Sequence, residues 1–173
     1  VLNQPLVFRS GSTFDVLKVL DATDARDGNI QHRIRATSLD GATISAQGSH
    51  DVQFQVTNSL GDTVTMVLPV EVYDPKNYDA ELALTDYLIY LKTGDSFHAS
   101  DYLKSFTQYN EETKLTSRLP YGFSLKTEGT VNTSVPGVYP VDYYVTYTDR
   151  NENNPELSRK YISYSKLIVV VEG

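Results

Sequence analysis

Residues 8–14 (Phe8, Arg9, Ser10, Gly11, Ser12, Thr13, Phe14) return in altered form at residues 91–97 (Leu91, Lys92, Thr93, Gly94, Asp95, Ser96, Phe97). A recurrence at this distance is too long for a solenoid and fits tandem all-β domains. The two halves also align beyond this phrase. Asp27 to Ile34 matches Glu112 to Leu119, Ile44 matches Val131, and Gly48 to Val52 matches Gly137 to Val141. The offset between equivalent positions grows from 83 to 85, 87 and 89, as small loop insertions would produce. The 173-residue chain is therefore expected to be two copies of one module. At about 85 residues each, a copy can bury a modest core.

Within each copy the pattern has period two, the signature of strands with one buried face. Val52, Phe54 and Val56 alternate with polar residues, and Val64, Met66, Leu68, Val70 and Val72 follow in the same way. Asn58, Ser59, Leu60, Gly61 and Asp62 lie between them, a polar turn that predicts a β-hairpin. In the second copy Tyr139, Val141, Tyr143, Val145 and Tyr147 alternate, and a closing strand is expected over residues 161–171. Its last hairpin is longer, with residues 149–156 (DRNENNPE) in place of the compact turn. Helix is scarce: residues 100–106 predict one short turn capped by Ser100. The pattern breaks at Asp74, Pro75, Lys76 and Asn77, which sets the domain boundary, with domains at 1–74 and 75–173. Gly11, Gly48, Gly94 and Gly137 fall where strands must turn, a role suited to a residue without Cβ.

Composition narrows the function classes. The net charge is −7, and no basic stripe exists to neutralise phosphates, so general nucleic-acid binding is not expected. There is no cysteine, which removes disulfides, thiolate nucleophiles and Cys-ligated zinc. This leans towards a bacterial exported protein, since small animal extracellular modules often depend on disulfides. No apolar run is long enough to cross a membrane as a helix, so membrane insertion is not expected. The chain opens and closes in strand-like text, at Leu6, Val7 and Phe8 and over residues 167–171. It is expected to be a segment of a longer protein, with targeting and anchoring elements elsewhere.

Residues 11–30 (GSTFDVLKVLDATDARDGNI) and 131–143 (VNTSVPGVYPVDY) resemble the opening and the later part of bacterial immunoglobulin-like repeats. Such repeats occur in tandem in surface proteins of Gram-positive bacteria and as accessory modules of secreted enzymes and toxins. The resemblance covers nearly the whole chain, with departures. The first copy has Ala46, Gln47 and Gly48 where the pattern has a Thr-x-Pro-Gly step, and the second lacks the Asp-rich loop. It implies an all-β fold of two tandem immunoglobulin-like β-sandwiches, about seven strands each. It specifies scaffold more than function, because sandwiches of this kind host many unrelated activities. In the scaffold Tyr139 and Tyr143 can bury a ring while the hydroxyl finds a backbone partner.

Candidate sites are few. Asp21, Asp24 and Asp27, followed by Gly28 and Asn29, are a candidate calcium site, since calcium takes six to eight oxygen ligands. Their spacing is not that of an EF-hand loop, and Asp and Asn also build turns by accepting backbone N–H groups. The second copy has Glu112, Thr113 and Lys114 at the aligned place, so no metal common to both copies is implied. His32, His50 and His98 are scattered, with His32 read on a strand, and no nucleophile motif accompanies them. A Lys–Asn isopeptide bond is not expected, because no Asn in residues 63–72 faces Lys18 on its early strand. Of 13 tyrosines, only Tyr73 lies in the first copy. Tyr87, Tyr90, Tyr102, Tyr109, Tyr121, Tyr144 and Tyr147 exceed what one small core needs, and form a candidate face for a protein or glycan.

The resulting expectation is a non-enzymatic stalk, spacer or adhesion segment of a larger secreted or cell-surface bacterial protein. Its partners would be neighbouring domains of the same polypeptide and a host or cell-wall protein or glycan. The alternative is an accessory carbohydrate-binding module of a secreted glycan-active enzyme. No cofactor is expected apart from the candidate calcium.

Overall fold

The computed structural model describes residues 2, 5–10, 16–37 and 47–173. They form strands, turns and short 3-10 segments, with no α-helix among them. The fold is all-β. Two compact units divide the chain, Val1–Asp74 and Pro75–Gly173.

The first unit contains β1 (Val7–Arg9), β2 (Thr23–Asp24), β3 (Gly28–Asn29), β4 (Arg35–Ala36), β5 (Gly48–Thr57) and β6 (Thr63–Tyr73). Its main sheet has the order β1-β6-β5-β4, with β1 parallel to β6, and β2 pairs with β3. Alternation drives the long hairpin: Val52 and Phe54 on β5 and Leu68, Val70 and Val72 on β6 are buried. Val64 continues the same pattern yet is exposed, beside the turn at the outer end of the hairpin. That turn is held by the Asn58 side chain, whose Oδ1 accepts the N–H groups of Leu60 and Asp62.

The second unit contains β7 (Glu81–Leu84), β8 (Leu88–Lys92), β9 (Leu103–Gln108), β10 (Glu111–Lys114), β11 (Phe123–Glu128), β12 (Gly137–Asp149) and β13 (Arg159–Glu172). One sheet has the order β10-β9-β7 and the other β11-β12-β13-β8, with β8 parallel to β13. The core lies between them. Leu82, Leu84, Leu103 and Phe106 from the small sheet meet Val141, Tyr143, Val145, Leu167, Val169 and Val171 from the large one. Tyr143 is completely buried and its hydroxyl donates to the Ala99 carbonyl at 2.8 Å. The Tyr139 hydroxyl donates to the Val135 carbonyl at 2.8 Å.

Repeated residues occupy equivalent rungs in the two main sheets. Phe8 and Gly48 both face Val72, while Leu91 and Gly137 both face Val171. Four residues further on, Val52 faces Leu68 and Val141 faces Leu167. Residues 11–14, Ile44 and Ala46 lie outside the described residues.

Several local expectations are corrected. Lys18 lies in a 3-10 turn, Val16–Val19, and not on a strand. His32 is likewise in a 3-10 turn, Gln31–Arg33, because Asn29 Oδ1 accepts the Gln31 N–H and tightens the chain there. The turn expected over residues 100–106 is shorter and earlier, at Ala99–Tyr102, and no side chain caps it. Residues from Leu103 onward pair with β7 instead, because Leu103 and Phe106 are drawn into the core. Gly48 and Gly94 have positive φ, as a turning role requires, whereas Gly137 simply begins β12.

Candidate functional site

The Asp-rich loop of the first unit is knitted together by its own hydrogen bonds. Asp24 Oδ1 accepts the N–H groups of Arg26 and Asp27, and its Oδ2 accepts Asn58 Nδ2 at 3.2 Å. Asp27 Oδ1 accepts the Ser59 hydroxyl at 2.6 Å; its Oδ2 accepts the Ser59 N–H at 2.6 Å and Arg33 Nη1 at 2.7 Å. Those donors hold the Asp27 carboxyl below its ordinary value, Ser59 first and Arg33 after it. The backbone N–H groups of Asp27 and Arg26, with Asn58, do the same for Asp24. Asp24 and Asp27 therefore tie the β2–β3 loop to the β5–β6 turn. Asp21 belongs to neither set of these bonds. Among the described residues no group of three or more His, Cys, Asp or Glu stands close enough to hold a metal ion. His32 lies in the Gln31–Arg33 turn, His50 on β5 and His98 just before the Ala99–Tyr102 turn, so the three are scattered. No helix among the described residues is long and apolar enough to cross a membrane.

The seven candidate tyrosines of the second unit do not share one face. Tyr87 and Tyr102 pack against the core; the Tyr87 hydroxyl accepts the Leu84 N–H at 3.4 Å, and Tyr102 stacks on Phe97 at 5.7 Å. Burial raises the Tyr102 phenol above its ordinary value, reinforced by Asp86 and Asp101. Tyr147 stacks on Phe123 with centroids 4.6 Å apart and meets Phe106 edge-on. These three rings serve packing. Tyr144 lies on the outer side of β12, against Tyr164 at 5.2 Å and under Lys126 Nζ at 5.8 Å. Tyr90 is on edge strand β8, its phenol raised by burial and by Glu172.

Tyr109 and Tyr121 stand apart, 77% and 86% exposed. Tyr109 and Asn110 both have positive φ in the turn between β9 and β10. A left-handed backbone costs a side-chain-bearing residue about 1–2 kcal/mol. The Tyr109 ring rests edge-on against Tyr161, centroids 5.8 Å apart, and Tyr161 faces Tyr147 across β12 and β13. An aromatic layer thus underlies the exposed ring. Tyr161, Asn151 and Asn154 gave no separate signal in the sequence. Tyr161 shares the alternation of Ser163 and Ser165, so periodicity did not single it out, and the asparagines lay inside a hairpin noted for its length.

No family model matches the chain. Over an alignment of 97 positions, which covers 49% of this chain, the sequence is 32% identical to an uncharacterized 81.3 kDa protein of Acholeplasma phage L2. The chain spans 13% of that relative's length. A solved structure, "The structure of CBM51-2 in complex with GlcNAc and INT domains from Clostridium perfringens ZmpB", is 14% identical with a TM-score of 0.36. The match covers 96% of this chain and 40% of that one. A likeness this loose carries no argument about what the chain does.

Proposed function

We propose that the chain is a pair of immunoglobulin-like modules acting as a non-enzymatic, tension-bearing spacer in a larger secreted or cell-surface bacterial protein. The supporting observation is strand direction. In each unit an early strand pairs in parallel with the last one: Val7, Phe8 and Arg9 face Glu71, Val72 and Tyr73, and residues 88–92 face residues 168–172. In a parallel pair the incoming end of one strand and the outgoing end of the other lie at opposite ends. Tension along the chain therefore slides the two strands past each other and loads their hydrogen bonds together. An antiparallel hairpin pulled from its open end would lose them one by one.

The second unit has five such rungs and the first has three, so the first should yield at lower force. Holding the whole chain by its termini in an optical trap tests this. At about 3.6 Å per residue, opening from Val7 to Tyr73 frees ~24 nm, and opening from Leu88 to Glu172 frees ~30 nm. The expected trace shows two sharp ruptures, the shorter first. A smooth extension without ruptures would overturn the reading. An accessory role beside a secreted enzyme is the second reading, favoured by the exposure of Tyr109 and Tyr121.

A further inference from the structure

Three loops of the second unit meet at one end of its sandwich. The β9–β10 turn brings Tyr109 onto Tyr161. Tyr161 faces Tyr147 two rungs from the last pair of the β12–β13 ladder, Asp149 with Arg159. The Gly122 carbonyl accepts the Thr148 N–H at 2.9 Å, which ties Tyr121 to the same end. The hairpin that leaves Asp149 supplies the third loop.

This end is chemically mixed in a specific way. Tyr109 and Tyr121 offer broad ring surface to solvent, and the ring beneath Tyr109 keeps it from collapsing inward. In the hairpin Asn151 Oδ1 accepts the N–H groups of Asn153 and Asn154, and Asn154 Oδ1 accepts that of Glu156. These bonds fix both side chains while using only their oxygens. Among the described residues neither Nδ2 group donates to a protein acceptor, so two uncharged donors remain for a ligand. Hairpin residues 149–159 carry three acidic and two arginine side chains, which gives no attraction for a polyanion. A peptide added as a strand would need an unpaired edge, and tight turns do not provide one.

We infer that this end of the second unit binds a neutral oligosaccharide. Tyr109 and Tyr121 take the apolar C–H faces of the sugar rings on their electron-rich faces, and Asn151 and Asn154 donate to hydroxyls. The inference goes beyond the spacer reading and can fail while that reading stands, because it concerns loops that bear no tension between β8 and β13.

The test uses the whole chain on an array of short neutral oligosaccharides (cello-, manno-, xylo- and chito-series) beside sialylated and uronate-bearing ones, followed by calorimetric titration of the best neutral probe. Wild type should retain neutral probes. Tyr121→Ser and Tyr109→Gly should each weaken the titrated probe about tenfold or more, with melting temperature retained. Glycine suits the positive φ of residue 109, so loss of binding in that variant is not loss of fold. Tyr90→Ser, on edge strand β8, should bind within about twofold of wild type. Retention of acidic probes alone, no retained probe, unchanged binding in both tyrosine variants, or an equal loss in Tyr90→Ser would overturn the inference.

Discussion

Replacing Tyr143 with Phe isolates one buried hydrogen bond. The ring stays, so the apolar area removed from water is unchanged and the core it shares with Val145 and Leu167 stays filled. What is lost is the 2.8 Å bond from the hydroxyl to the Ala99 carbonyl, which ties β12 to the turn before β9. A net contribution of about 1–1.5 kcal/mol is expected for such a bond. In a unit of this size each kcal/mol corresponds to ~4–8 °C in melting temperature. The transition of the second unit should therefore fall by at least ~4 °C. The pH dependence adds a second constraint. Burial raises the Tyr143 phenol well above its ordinary value, so the native state keeps the proton where the unfolded chain releases it. Its contribution is complete below the unfolded value of about 10 and is lost as pH rises towards the folded value. Wild type and Tyr143→Phe should therefore converge in stability above about pH 10. Calorimetry from neutral pH to about pH 11 reads both effects. A loss below ~0.3 kcal/mol at neutral pH, or a gap that widens in alkali, would refute the reasoning.

Four further outcomes follow from other contacts. Ser163 and Ser165 are both buried on β13, but only Ser163 donates, to the Val145 carbonyl at 2.9 Å, while Ser165 Oγ meets no protein partner. Ser163→Ala should cost about 1 kcal/mol and Ser165→Ala should be neutral or stabilising in denaturant titration. Gly129 has φ +101° and a Cβ there would stand 2.3 Å from the Pro140 carbonyl oxygen, so Gly129→Ala should destabilise by more than ~1 kcal/mol in the same assay. Asp27→Asn should lower the melting temperature of the first unit near neutrality. Because the Asp27 carboxyl is depressed in the folded state, that difference should vanish as pH falls through its folded value. Calcium or a chelator should leave the wild-type melting temperature unchanged, since the oxygens of Asp24 and Asp27 are engaged by protein donors; a rise with calcium would contradict this.

Much of the main-sheet architecture was legible because it rests on local periodicity. Val141, Tyr143 and Val145 alternate with less buried neighbours, and Gly48 and Gly137 mark the rungs that face Val72 and Val171. The short elements were not. β2, β3 and the 3-10 turn at Gln31–Arg33 depend on side chains such as Asp24 and Asn29 accepting backbone N–H groups, which leaves no periodic trace. The candidate site was legible as a surplus of tyrosine and no further. Whether a ring is packed or displayed depends on residues distant in sequence: Tyr147 lies on Phe123 and Tyr102 on Phe97, whereas Tyr121 meets solvent. The Asp-rich loop shows the same limit, because the Ser59 groups that occupy Asp27 come from 32 residues away.

The direction of mechanical resistance tests the account most directly. The second unit can be pulled within the whole chain in two ways: from the chain termini, which shears β8 against β13, or between handles at Asn77 and Asn153, both towards the Arg159 end of β13, which pulls the same fold from one end. Parallel pairing of β8 with β13 should give a distinctly higher rupture force in the terminal geometry, together with the ~30 nm increment of the second unit. Equal forces in the two geometries would mean that the parallel pairing bears no tension, and would contradict the spacer function.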